Sequence, residues 1–299
     1  MTTSPQLTLS SLLMLLALAA VWGGTFFFAE IALTELPPMT VTLFRVMWAL
    51  PLLYVILRLA GLSVPTDRKI WAAFFVMGAL NNAIPFTLIF WGQTQIESGL
   101  ASILNGMTAI FGAVIAGMLL KDEPLTMAKI LGAIFGVFGV TVIIGPDALR
   151  GLSLANLGQF AILAACVSYS FASVWGRTNL GGQPPLVNAF GMITGSTVIM
   201  LPLVLWVDGV PSLSMSPPVL ASMLGLVTLS TVLAYLLYFA VLARAGAANL
   251  MLVTLLIPPF AIALGVVFLD EQMSQAEWIG FALIALGLLV TDGRVLRRR

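Results

Sequence analysis

The feature that most constrains this chain is a succession of apolar stretches long enough to cross a bilayer, joined by connections too short to fold alone. A helix needs about 20 apolar residues to span a hydrocarbon core. Cutting the 299 residues at charged, Pro-rich or Asn/Gly-rich points leaves ten such stretches, approximately 9–32, 39–60, 70–91, 101–120, 127–144, 156–175, 186–206, 218–242, 250–269 and 276–290. Connections such as TELPP, KDEPLT and RTNLGGQPP leave no room for an aqueous domain. Only 8% of the residues are charged, against about 25% in a soluble domain, so nothing could cover an aqueous exterior. The expected fold class is therefore an all-α membrane protein of ten transmembrane helices.

Lys and Arg in short loops mark the cytoplasmic side. With the N-terminus inside, Arg58, Arg68, Lys69, Lys121, Lys129, Arg177, Arg244, Arg294, Arg297, Arg298 and Arg299 are cytoplasmic and Arg150 is outside. Glu35, Glu97, Asp147, Asp208, Asp270, Glu271 and Glu277 then lie on the outer side. Both termini are expected in the cytoplasm of a bacterial inner membrane. The N-terminal stretch has no basic n-region and runs on past Phe28, so it reads as an uncleaved first helix.

The chain also repeats itself. Shifted by 148 residues, 101–145 falls on 249–293 with 10 identities in 45 positions and no gap. Asp122-Glu123 meets Asp270-Glu271, Gly117 meets Gly265, Gly132 meets Gly280 and Gly139 meets Gly287. A shift of 147 places Pro37-Pro38 on Pro184-Pro185 and Trp22-Gly23 on Tyr169-Ser170. The expected halves are 1–148 and 149–299. Five helices per half is an odd number, so the second half enters the membrane inverted, an arrangement typical of secondary transporters with a site at the interface of the halves.

Two five-helix units, each closing on an acid, a Gly nine residues on and another Gly seven further, resemble the EamA-type members of the drug/metabolite transporter superfamily. Trp22-Gly23-Gly24-Thr25-Phe26 in the first helix adds to the resemblance. Length, charge-poor interior and aromatic content look most similar to its YddG-type exporters of aromatic amino acids. The resemblance implies a central cavity between the halves, with the fourth, fifth, ninth and tenth helices peripheral.

Candidate substrate-binding residues follow from what is costly in lipid. Arg45 lies within the second helix, where an ionised side chain is a functional hypothesis by default. Two readings are open: contact with a substrate carboxylate, or a structural role in which it snorkels to the outer interface or pairs with Glu30. Glu30 is the coupling candidate if transport uses protons; its alternative is an interfacial carboxylate that stays ionised. Asn81 and Asn82 sit mid-helix, where an unpaired amide is expensive, and Pro85 just beyond can kink the helix. Pro258 (with Pro259), Asn105 and Thr254 are their counterparts elsewhere, and for each helix packing is an equal alternative. Trp22, Phe26, Phe86, Tyr169, Tyr235 and Tyr238 offer aromatic faces, three of them with a hydroxyl.

The same inventory excludes classes of function. Histidine is absent, which removes Ser/His and metal/His chemistry, and no pair of embedded Asp supports an aspartyl mechanism. The lone cysteine, Cys166, lies in an apolar run and carries no chemistry. A carrier of phosphorylated sugars would place several cations at its site; here Arg45 stands alone. No metal or cofactor is implied, and the net charge of +1 gives no reason to expect nucleic acid. The expected partners are a small neutral or zwitterionic substrate, foremost an aromatic or hydrophobic amino acid, and the bilayer. Multidrug or lipid export is the alternative within transport, an intramembrane enzyme a distant one. With both halves on one chain, a monomer can form a complete pathway.

Overall fold

The computed structural model describes residues 8–145 and 153–292. Asp147, Arg150, Gly293, Arg294, Arg297, Arg298 and Arg299, which entered the charge and repeat arguments, lie outside the described residues. Among the described residues the secondary structure is helical throughout, with no strand. Eight helices are long and apolar enough to cross a membrane: α1 (Leu9–Ala32), α2 (Pro38–Leu59), α3 (Arg68–Gln93), α4 (Ser98–Leu119), α5 (Met127–Ile144), α6 (Leu154–Asn179), α7 (Pro185–Val207) and α8 (Pro217–Gly246). Two shorter apolar helices follow, α9 (Val253–Phe268) and α10 (Gln275–Asp292).

Their ends obey ordinary capping chemistry. Thr8, Asp67, Thr126 and Ser153 each accept a backbone N–H of the turn that follows. Ser153 and Asn156 form a reciprocal capping box. Proline stands in the first turn of α2, α7 and α8, where no N–H is needed. Three of the stretches read from sequence as single helices are interrupted. In α3 residues Ala79–Ala83 form a π turn, and Pro85 is the second residue of the α-helix that resumes at Ile84. The wide turn and the proline thus lie side by side, the two features at which helices bend. In α8 residues Thr228–Leu233 form a second π turn. Both lie near mid-span and start 149 positions apart. Gly106 separates two segments of α4, and Gly246, with φ 78°, kinks the chain between α8 and the turn leading to α9.

The helices pack in exchangeable pairs. α1 lies on α9 as α4 lies on α6, α3 lies on α6 as α8 lies on α1, while α2 packs on α7 and α5 on α10. Almost all of the extensive packing therefore joins the first half of the sequence to the second. The α5/α10 seam is glycine-lined: a methyl group added at Gly132 would meet the Gly287 carbonyl oxygen at 2.6 Å, and one at Gly139 would meet that of Gly280 at 2.8 Å. Reciprocally, one added at Gly287 would meet the Gly132 carbonyl oxygen at 2.7 Å and one at Gly280 that of Gly139 at 2.8 Å. Small residues let the two backbones touch where lipid supplies no hydrophobic drive.

Candidate functional site

Arg45 is the centre of the candidate site. It is 5% exposed, and an Arg at a helix centre costs about 2.5–3.5 kcal/mol on insertion scales, so its surroundings must compensate. They do so with neutral groups. Nε donates to Thr231 Oγ1 at 3.0 Å and Nη2 to the Ser230 carbonyl oxygen at 3.2 Å, while the guanidinium carbon lies 4.0 Å above the Phe86 ring. Among the described residues no carboxylate lies within ion-pair distance of it. Arg45 neither snorkels to the interface nor pairs with Glu30, so the structural reading offered by the sequence is corrected. Its partners come from the π turn of α8, which lies nearly 190 residues away in the chain.

That π turn fixes the direction of each hydrogen bond. Thr231 Oγ1 donates to the Leu226 carbonyl oxygen at 2.8 Å, so its lone pair is left to accept from Arg45. Ser230 Oγ donates to the Val21 carbonyl oxygen of α1 at 2.7 Å, anchoring the same turn to the first half. Ser230 and Thr231 were not singled out from the sequence. The available signal was a Ser-Thr pair at mid-span, a pattern that commonly means only local bonding to the preceding turn.

The other candidates distribute around this centre unevenly. Phe86 is buried beneath the guanidinium, and Phe26 is buried in the same core. Tyr169 on α6 and Tyr235 on α8 lie within electrostatic range of Arg45. Tyr235 stacks with Phe239, and Tyr238 lies 5.9 Å from the Trp22 ring. Cys166 Sγ, one turn before Tyr169, donates weakly to the Asn105 carbonyl oxygen at 3.6 Å. Asn105 Oδ1 is buried with no hydrogen-bond partner among the described residues. Asn82 turns away from this group: wholly buried, it donates to Ser196 Oγ on α7 at 3.3 Å, and Asn81 donates to the Asn82 Oδ1 and to Met192 Sδ. Thr254 lines a small separate cavity of about 70 Å³ with Ala109, Leu288 and Thr291. Pro258 is buried within α9. Glu30 accepts from Gln93 Nε2 at 3.0 Å, and the same nitrogen donates to the Phe26 carbonyl oxygen at 2.9 Å.

A buried cation fixed by neutral groups and set against aromatic rings is suited to an anionic or zwitterionic small molecule. An apolar groove of about 500 Å³ also exists, but it lies between α4 and α5, lined by Val114, Ile130, Ile134, Val137 and Phe138 among others.

The chain is similar over most of its length to proteins named as transporters. YoaV, an uncharacterized transporter of Bacillus subtilis, is 23% identical over 95% of this chain and 97% of its own. A probable amino-acid metabolite efflux pump of Escherichia coli is 25% identical over 92% of each chain, and a probable terminal-alkyne amino-acid exporter of Streptantibioticus cattleyicolor is 26% identical over 74% of this chain and 73% of its own. A crystal structure superposes with a TM-score of 0.69 at 19% identity, covering 97% of this chain and 99% of that one, which establishes the fold. The EamA-like transporter family matches twice, over residues 9–145 and 156–291. With both halves of the sequence so matched, this multi-pass membrane protein belongs to the EamA-like transporter family.

Proposed function

We propose that this transporter exports zwitterionic amino acids or their metabolites, with aromatic and hydrophobic side chains preferred. The observation that carries the reading is Arg45: a buried guanidinium with no acid beside it among the described residues retains donors for a carboxylate from outside the protein. Asn105 Oδ1, buried and without a hydrogen-bond partner among the described residues, is the acceptor assigned to the substrate ammonium in this reading. Trp22, Tyr169, Tyr235, Tyr238, Phe26 and Phe86 supply flat apolar contacts for the side chain. Two relatives whose printed names concern amino-acid export support the same class.

In this reading ten helices cross the inner membrane as two inverted halves, 1–148 and 149–299, with both termini cytoplasmic. The exchangeable packing pairs and the two π turns support that arrangement, and access to Arg45 alternates between the two sides. One chain suffices.

The test is flux of radiolabelled phenylalanine from proteoliposomes, with phenylalaninamide and phenethylamine as competitors. Saturable flux that the free acid inhibits, and that neither carboxylate-lacking analogue inhibits, is expected. Equal inhibition by all three, or flux of organic cations alone, would overturn the carboxylate assignment and favour multidrug export.

A further inference from the structure

Two acidic turns, 148 residues apart, carry the same Asp-Glu pair and settle differently. Asp270-Glu271 follows α9. There Glu271 Oε1 accepts from the Ser98 backbone N–H at 2.8 Å and Oε2 from that of Gly99 at 3.0 Å. The carboxylate thus closes the first turn of α4, where N–H groups have no intrahelical partner and the dipole favours negative charge. Glycine makes the room: a methyl group at Gly99 would meet Glu271 Oε2 at 3.3 Å, and one at Gly265 would collide with the same oxygen. Glu97 reaches back to the Gln272 backbone N–H; burial and the neighbouring Glu271 and Glu277 hold its carboxyl above the usual range. These contacts tie the second half of the sequence to the first.

Asp122-Glu123 follows α4, and the same shift makes Gly117 the counterpart of Gly265 and Gly246-Ala247 that of Ser98-Gly99. Here the turn folds another way. A methyl group at Gly117 would meet Leu125 Cα at 3.1 Å, with no acid against it, and both carboxylates bind the guanidinium of Arg177 on α6. Under the 147-residue shift, the residue equivalent to Arg177 is Glu30. One end therefore holds a cation that draws the acids onto α6. The other holds, in that place, a carboxylate bonded to Gln93, and its acid stays on the helix end.

We propose that Glu271 and Glu123 are paired gate residues: Glu271 capping α4 shuts one end of the pathway, and Glu123 capping the chain at the Gly246 kink before α9 shuts the other. The cycle exchanges the two caps, and Arg177 holds Glu123 off in the state described here. In an inverted repeat, a contact made by only one half in one state is made by the other half in the opposite state. The inference rests on the alternating-access reading and not on the identity of the substrate.

The test exploits the fact that Arg177→Gln and Glu123→Gln break the same ion pair. If that pair were a strut, both would act alike. As gate residues they act oppositely: Arg177→Gln frees Glu123 to cap and opens the Glu271 end, whereas Glu123→Gln removes the competing cap and keeps that end shut. Spin labels at the exposed positions Thr94→Cys and Gln275→Cys, in a Cys166→Ser background, report the separation at the Glu271 end in reconstituted protein. Arg177→Gln and Glu271→Gln are expected to raise the long-distance population about tenfold, the worth of one charge-assisted hydrogen bond, and Glu123→Gln to lower it. Arg177 is 46% exposed, so its substitution leaves the fold intact. Arg177→Gln and Glu123→Gln moving the distance in the same direction, or Glu271→Gln leaving it unmoved, would overturn the proposal. Normal exchange of distances without amino acid flux would count against the substrate reading alone.

Discussion

The two π turns occupy corresponding places in the two halves and are used differently. In α3, the turn at Ala79–Ala83 spends its polar groups on packing: Asn82 binds Ser196, and the Leu80 carbonyl oxygen accepts from Ser168 Oγ at 2.7 Å. In α8, the turn at Thr228–Leu233 presents a hydroxyl and a carbonyl oxygen to a buried cation. The same backbone irregularity serves as a seam on one side and as a cradle on the other. What decides is the neighbour: α7 presents Ser196 to α3, whereas α2 presents Arg45 to α8. A π turn alone therefore does not mark a binding site, though such turns are frequent at functional sites.

The sharpest way to break this contrast is Arg45→Gln. Transport of the amino acid, measured as kcat/KM, is expected to fall on the order of a hundredfold with the protein still monodisperse, since a charge-assisted carboxylate contact is worth roughly 1.5–3 kcal/mol. Thr231→Val should raise KM about fivefold to tenfold, because Arg45 Nε loses the acceptor that aims it, and Thr231→Ser should restore it. Asn82→Ala should do the reverse, lowering thermal stability in detergent by about 1–3 kcal/mol while leaving KM within about twofold. If Asn82→Ala moved KM as far as Thr231→Val, the two turns would share one role and the contrast would fail.

The smallest effect concerns a surface tie between the halves. Glu35 accepts from the Ser216 backbone N–H at 3.0 Å, and the Ser216 side chain and N–H together hold its carboxyl below the usual range. A carboxylate so lowered contributes above its ordinary value and loses that contribution as pH falls through its folded value. Thermal stability followed against pH should thus show a slight acid-side decline that Glu35→Gln removes.

Much of the fold was legible because lipid imposes a single requirement on every spanning segment, and apolar length reports it directly. The irregularity of α3 was legible too, since Asn81, Asn82 and Pro85 are poor helix formers. The matching irregularity of α8 was not: TLSTVL contains no Gly, Pro or Asn, and Ser and Thr in membrane helices usually bond quietly within their own turn. Arg45 was recognisable as costly, but its partners were not, because sequence proximity pointed to Glu30 whereas the true contacts depend on how α8 packs against α2. The acid turns were visible as a repeated motif, and nothing in that motif distinguishes the turn that caps a helix from the turn that binds Arg177.

The glycine seam between α5 and α10 carries a consequence for symmetry. Gly132 meets Gly287, and their counterparts Gly280 and Gly139 meet in the same way, so the surface complements a copy of itself, as the interface of a two-fold homodimer does. A side chain at any one of the four positions would meet a backbone carbonyl of the opposite helix, so each position is constrained by its mirror image. In that pair of helices the two matched segments meet as equals, each presenting to the other the face that it receives.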